Sequence, residues 1–162
     1  MVDLRVLAAE PVWPAAPALD REWLSRLDAK PEILDAVVDL LLGQGWLAAA
    51  DRDWLVLCLD EAVVNAMLHG NEGDPTLPIR VCVWADAARW TVMIADQGCG
   101  FDPASIPDQE NPDALLLEHG RGVRIMASWL DDLTYYRGGA VISMSRRRPT
   151  EPSPTASADS AP

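Results

Sequence analysis

Three stretches of this 162-residue chain carry side chains whose types and spacing could do chemistry. In WLVLCLDEAVVNAMLHG, from Trp54 to Gly70, the residues Glu61, Asn65 and His69 recur at i, i+4 and so stack along one edge of a helix, with Asp60 beside them and Gly70 placed to end it. The remainder of that stretch is apolar on nearly every side, which reads as a helix buried in a core. A carboxylate withdrawn from water without a partner costs several kcal/mol as a rough figure. Glu61 is therefore neutralised, paired or turned toward a wet cleft, and the cleft is the reading adopted here. Taken alone, the stretch also fits a plainer account in which Asn65 and His69 bond neighbouring backbone and Glu61 merely reaches the surface.

The second stretch, DQGCGFDP, begins with Asp96 at the end of an apolar run; Gly98 and Gly100 permit close approach that a side chain would forbid. In the third, HGRGV, Gly120, Arg121 and Gly122 precede Val123 at the start of a helix, a turn whose amides can hold phosphate oxygens. Either glycine motif is weak by itself. A carboxylate and an amide on a buried helix, then a strand ending in DxGxGFD, then GRGV opening a helix, is a more restrictive order.

The elements that must position these residues follow from pattern. EWLSRL (22–27) reads as a strand. Pro31 then opens PEILDAVVDLLLGQG as an amphipathic helix with Ile33, Leu34, Val37, Val38, Leu41 and Leu42 on one face, stopped by Gly43 or Gly45. Asp51 or Asp53 is available to cap the central helix. IRVCVWA (79–85) and RWTVMIA (89–95) read as a hairpin, and LTYYR (133–137) and AVISMS (140–145) as another, joined at Gly138-Gly139. The expected fold is an α/β two-layer sandwich, one mostly antiparallel mixed sheet with helices on one face. Residues 1–20 read as an N-terminal extension, 21–148 as the domain, and 149–162 as a disordered tail low in bulky apolar residues.

Composition narrows the function classes. Twenty-five acidic against thirteen basic residues give a formal charge of −12, which opposes a phosphate backbone and argues against nucleic acid while suiting a basic protein partner. Cys58, Cys82 and Cys99 form no CxxC spacing, so neither a disulfide framework nor a zinc site is expected, and the chain reads as cytoplasmic. No leader and no run of eighteen apolar residues is seen, so no membrane is expected. The seven tryptophans are scattered and read as packing residues. Lys30 is the single lysine and no GxxxxGK[ST] occurs, which excludes a P-loop.

Glu61-Ala62-Val63-Val64-Asn65-Ala66 with His69-Gly70, then Asp96 to Pro103, then His119 to Val123, together resemble the GHKL ATPase superfamily (the Bergerat fold). Within it they are similar to the anti-sigma-factor serine-protein kinases of the RsbW type. The resemblance runs from about Glu22 to Arg147. It implies ATP and Mg²⁺ as cofactors, with Asn65 as the Mg²⁺ ligand and Glu61 as the base that takes a proton from the nucleophile. Asp96 would accept the adenine amino hydrogen, Gly98 and Gly100 would let the loop pass beneath the base, the amides of Gly120, Arg121 and Gly122 would hold phosphate, and Phe101 and Val123 would complete the nucleotide-binding set. Ser143 would support the adenine site. The implied partners are an anti-sigma antagonist, as phosphorylation substrate, and a sigma factor, with a possible homodimer. A sensor histidine kinase fits less well, since no phosphoacceptor helix is evident and 102–119 is short for a lid. Two rivals are a nucleotide-shaped binding module without phosphotransfer, and an ATPase domain serving another regulator.

Overall fold

The computed structural model describes residues 5–14, 16–100, 122 and 126–149. Its elements are β1 (Arg5–Leu7), β2 (Leu19–Leu24), α1 (Lys30–Gly43), α2 (Arg52–Val64, continued as a π-helix over Asn65–Gly70), β3 (Pro78–Ala85), β4 (Arg89–Ala95), β5 (Asp132–Tyr136) and β6 (Val141–Arg147). The strands form one six-stranded sheet in the order β1-β5-β6-β4-β3-β2. Every pairing is antiparallel except β1 with β5.

Alternation along the strands divides the sheet's side chains between two faces. Ile79, Val81, Val83, Trp90, Val92, Ile94, Leu133, Tyr135, Ile142 and Met144 point inward and join Ile33, Val37, Val38 and Leu41 of α1 and Leu55, Leu59 and Val63 of α2 in one core. Cys82, Met93, Ala95 and Val141 point outward into a smaller cluster with Trp13, Trp84 and Tyr136. The architecture is thus the expected mixed sheet with helices on one face.

The first strand lies within the stretch read from sequence as an extension, where Pro11, Pro14 and Pro17 obscure any local pattern. Because β1 and β2 occupy opposite edges, residues 8–18 must span five inter-strand gaps, about 24 Å. Trp13 and Pro14 lie over the outer face. Trp13 stacks on Trp84 at 5.3 Å between centroids and meets Tyr136 edge-on at 5.6 Å, and Trp84 Nε1–H donates to Pro14 O at 2.8 Å.

Helix boundaries obey local chemistry with two corrections. Pro31 stands in the first turn of α1, and of the two candidate stops Gly45 supplies the left-handed residue, at φ 65°. Asp51 precedes α2 but makes no side-chain capping bond, and no cap comes from Asp53, which lies in the first turn. A 3₁₀ turn over Ala49–Asp51 holds Asp51 in helical φ/ψ, not the extended geometry a capping residue needs. Its carboxylate instead accepts from Trp129 Nε1 at 3.4 Å. The second correction concerns α2, which is not buried all round: Trp54, Leu57 and Leu68 are exposed, because a two-layer fold covers only one side of a helix. The expected tail from 150 onward lies outside the described residues.

Candidate active site

The central helix changes pitch at Asn65. Asn65 N–H donates to Glu61 O and Ala62 O, so Glu61 and Asn65 stand one α-helical turn apart on a shared, half-buried edge. Past that point Asn71 N–H donates to Ala66 O, five residues back, at 2.8 Å. A π-turn ends the i, i+4 register. The stripe read from sequence therefore stops at Asn65, and His69 stands at an exposed position in the wider turn.

The π-turn delivers Gly70 against the end of β4. A Cβ on Gly70 would overlap the carboxyl group of Asp96, and one on Gly98 would overlap the carbonyl of Gly70. Gly70 is not in the left-handed region, so here glycine supplies space and not a special φ. Asp96 itself is only 5% exposed. Its N–H donates to Ala140 O at 2.9 Å and its Oδ1 accepts from Gly98 N–H at 2.8 Å. Burial pushes its pKa up to about 6, against the opposing pull of the Gly98 bond and the Arg137 charge. Gly100, at φ 84°, packs its loop onto the Gly138 carbonyl in the β5–β6 turn.

At the other end of the same edge, Gly122 is buried, and a Cβ there would overlap the Glu61 carboxyl group. Gly122 therefore seats directly on Glu61. Beneath it, the Tyr135 phenol is driven well above its usual range, by burial first and by the Glu61 charge second. Burial likewise pushes the Cys58 thiol up to about 12, with Arg146 opposing and Glu61 adding. Glu61 and Gly70 are nine positions apart, at most about 13 Å along the helix. The helix edge thus presents a carboxylate and an amide at one end and meets a desolvated carboxylate at the other.

Residues 24–146 match the family model of the histidine kinase-like ATPase domain. The chain belongs to this family. No curated protein matches it. Membership in the histidine kinase-like ATPase family implies ATP binding and a nucleotide-dependent regulatory role, and the six-stranded, mostly antiparallel sheet with helices is consistent with that family's fold. Among the described residues no helix is long and apolar enough to cross a membrane.

The residues present fit a magnesium nucleotide. Asn65 offers a hard oxygen donor, the ligand type Mg²⁺ takes while keeping several waters, with the Glu61 carboxylate one turn away. Among the described residues, no three His, Cys, Asp or Glu side chains gather into a cage that would hold a metal without substrate oxygens.

Of the other residues singled out from sequence, Phe101, Gly120, Arg121 and Val123 lie outside the described residues, as do Asp102, Pro103 and His119. Ser143 is not brought to the group. It sits between the inward residues Ile142 and Met144, opposite Met93 and Thr134, so alternation turns its hydroxyl to the outer face. Sequence reasoning also passed over Asn71, which is 1% exposed and bonded to three separate segments. In sequence it is only an asparagine after a helix-ending glycine, an ordinary loop signal.

Proposed function

We propose that the protein is an ATP- and Mg²⁺-dependent serine/threonine protein kinase that acts in the cytoplasm as an anti-sigma factor. Its substrate is an anti-sigma antagonist protein, and phosphorylation switches its binding between antagonist and sigma factor. The observation that carries this reading is the seating of Gly122 on the Glu61 carboxyl group, one helical turn from Asn65. A binding module has no need of a carboxylate packed against Gly122 and one turn from Asn65.

In this reading Asn65 would hold the metal, which would supply charge neutralisation at the phosphates. The Gly122 amide would hold a phosphate oxygen. Glu61 accepts the proton from the substrate hydroxyl as its oxygen forms the new bond to the γ-phosphorus, and the bond from phosphorus to the ADP oxygen breaks. Asp96 accepts from the adenine amino group. The strongly acidic chain, at −12, favours a basic docking surface on the partner.

The deciding experiment incubates the protein with labelled ATP and each candidate antagonist, alongside Glu61→Gln. That change keeps shape and hydrogen bonding but cannot take up a proton. Phosphotransfer should fall by about 10²- to 10⁴-fold while ATP affinity and sigma-factor binding persist. A variant as fast as wild type removes Glu61 as the base. A wild-type protein that binds ATP and phosphorylates no antagonist favours the binding module.

A further inference from the structure

The side chain of Asn71 joins parts of the chain that are far apart in sequence. Its Oδ1 accepts from Gln97 N–H at 2.7 Å, and its Nδ2 donates to Ser25 Oγ at 2.7 Å and to Pro78 O at 3.1 Å. Its own N–H closes the π-turn on Ala66 O at 2.8 Å, and its carbonyl accepts from Asp74 N–H at 2.9 Å. The residue after β2, the end of the central helix, the start of β3 and the second residue after β4 are thus tied at one buried amide. The two neighbours of these bonds are the residues that frame Asp96. Gly70 precedes Asn71 and packs on the Asp96 carboxyl; Gln97 follows Asp96.

We propose that Asn71 is the positioning residue for base recognition: by accepting from Gln97 N–H while ending the helix at Gly70, it locks the Asp96 carboxylate against the helix end. The physical need is clear. A carboxylate that is 5% exposed gains water by swinging outward, so something must hold the backbone on both sides of it. Gly98 N–H restrains the side chain from within its own loop. Asn71 alone of the described side chains bonds Gln97 N–H and so ties that loop to the helix. It touches no nucleotide in this account and acts through Asp96. The inference rests on the adenine-pocket reading of Asp96.

The test compares Asn71→Ala, Asn71→Asp and Ser25→Ala in the full chain, with two readouts. One is the ratio of ATP to GTP affinity. The other is amide hydrogen exchange at Gln97 and Gly98 without nucleotide. Asn71→Ala should speed exchange at Gln97 at least tenfold beyond the change at core amides, and should reduce the ATP to GTP ratio at least tenfold. Asn71→Asp keeps the acceptor for Gln97 N–H, and Ser25→Ala removes a different bond of the same amide. Both should lose stability yet keep wild-type discrimination and local protection.

Unchanged local exchange in Asn71→Ala, or a Ser25→Ala variant that loses discrimination equally, overturns the proposal. Should Asn71→Ala not fold, the remaining pair decides: loss of discrimination in either overturns it, and retention in both supports it. If the exchange pattern is as expected but the wild type binds no adenine nucleotide, the positioning of Asp96 stands and the adenine reading fails.

Discussion

The two faces of the sheet are made from the same alternating strands but are covered by different things. The inner face is sealed by α1 and α2 over large aliphatic side chains, many fully buried. The outer face is crossed by residues 8–18, with Trp13 over a small cluster and with Thr134, Ser143 and Ser145 buried among it. Polar residues on the outer face are satisfied within the sheet: Thr91 and Ser145 share a hydrogen bond of 2.8 Å, and Thr134 Oγ1 donates to Asp132 at 2.9 Å. Asp96, which continues the inward row of Trp90, Val92 and Ile94, is left with burial as the larger influence on its charge. The contrast teaches that position along a strand decides less than parity. A polar residue one place removed, such as Ser143, lands on the face opposite the helices.

Substitutions sharpen this comparison, beginning with the largest effect. Asn65→Ala should abolish Mg²⁺-dependent ATP binding, measured calorimetrically, with little change in melting temperature, because the proposed function makes it a metal ligand on a half-buried edge and not a core contact. Normal binding by that variant would move the metal site off α2.

Gly70→Ala comes next. The added methyl must displace the Asp96 carboxyl, so overpacking of about 1–3 kcal/mol is expected. ATP affinity should fall by roughly tenfold for each 1.4 kcal/mol of that cost that reaches the pocket. A variant that binds ATP like wild type would separate Gly70 from base recognition.

Acidity provides a third handle. With a folded pKa of about 6 against an ordinary 3.8, Asp96 favours the fold fully below about pH 4, and that contribution disappears as pH rises through 6. The shift corresponds to about 3 kcal/mol. A bound amino group reverses the preference, since an ionised acceptor is the stronger one. ATP affinity should therefore rise several-fold between pH 5 and pH 7, and Asp96→Asn should flatten the rise. Asp20 on the outer side shifts oppositely, to about 2, chiefly through its bond to Arg80, so its influence is confined to a lower pH window. An affinity that is level across pH 5–7 in wild type would place the base away from Asp96.

The smallest effects belong to the outer face. Trp13→Ala should cost about 1 kcal/mol through lost ring contacts, and Ser143→Ala should leave ATP affinity unchanged. A loss of nucleotide binding in either would show that the faces are coupled through the sheet.

Much of this protein was legible in the sequence because the signals are local. The alternating runs 79–85 and 89–95 and the glycine pair at 138–139 anticipate strands and turns, since strand alternation and positive φ are properties of a few residues. The order of acidic, amide and glycine motifs pointed to the histidine kinase-like ATPase family that the match over 24–146 bears out. Tertiary structure decided what depends on residues distant in the chain. The strand at Arg5–Leu7 exists only through pairing with Thr134–Tyr136. The π-turn that breaks the stripe at His69 is joined to Asn71, whose bonds reach Ser25, Pro78 and Gln97. The inward aim of Asp96 and the outward aim of Ser143 follow from strand parity, and which face becomes the site depends on where the helices pack, a choice made by the whole core at once.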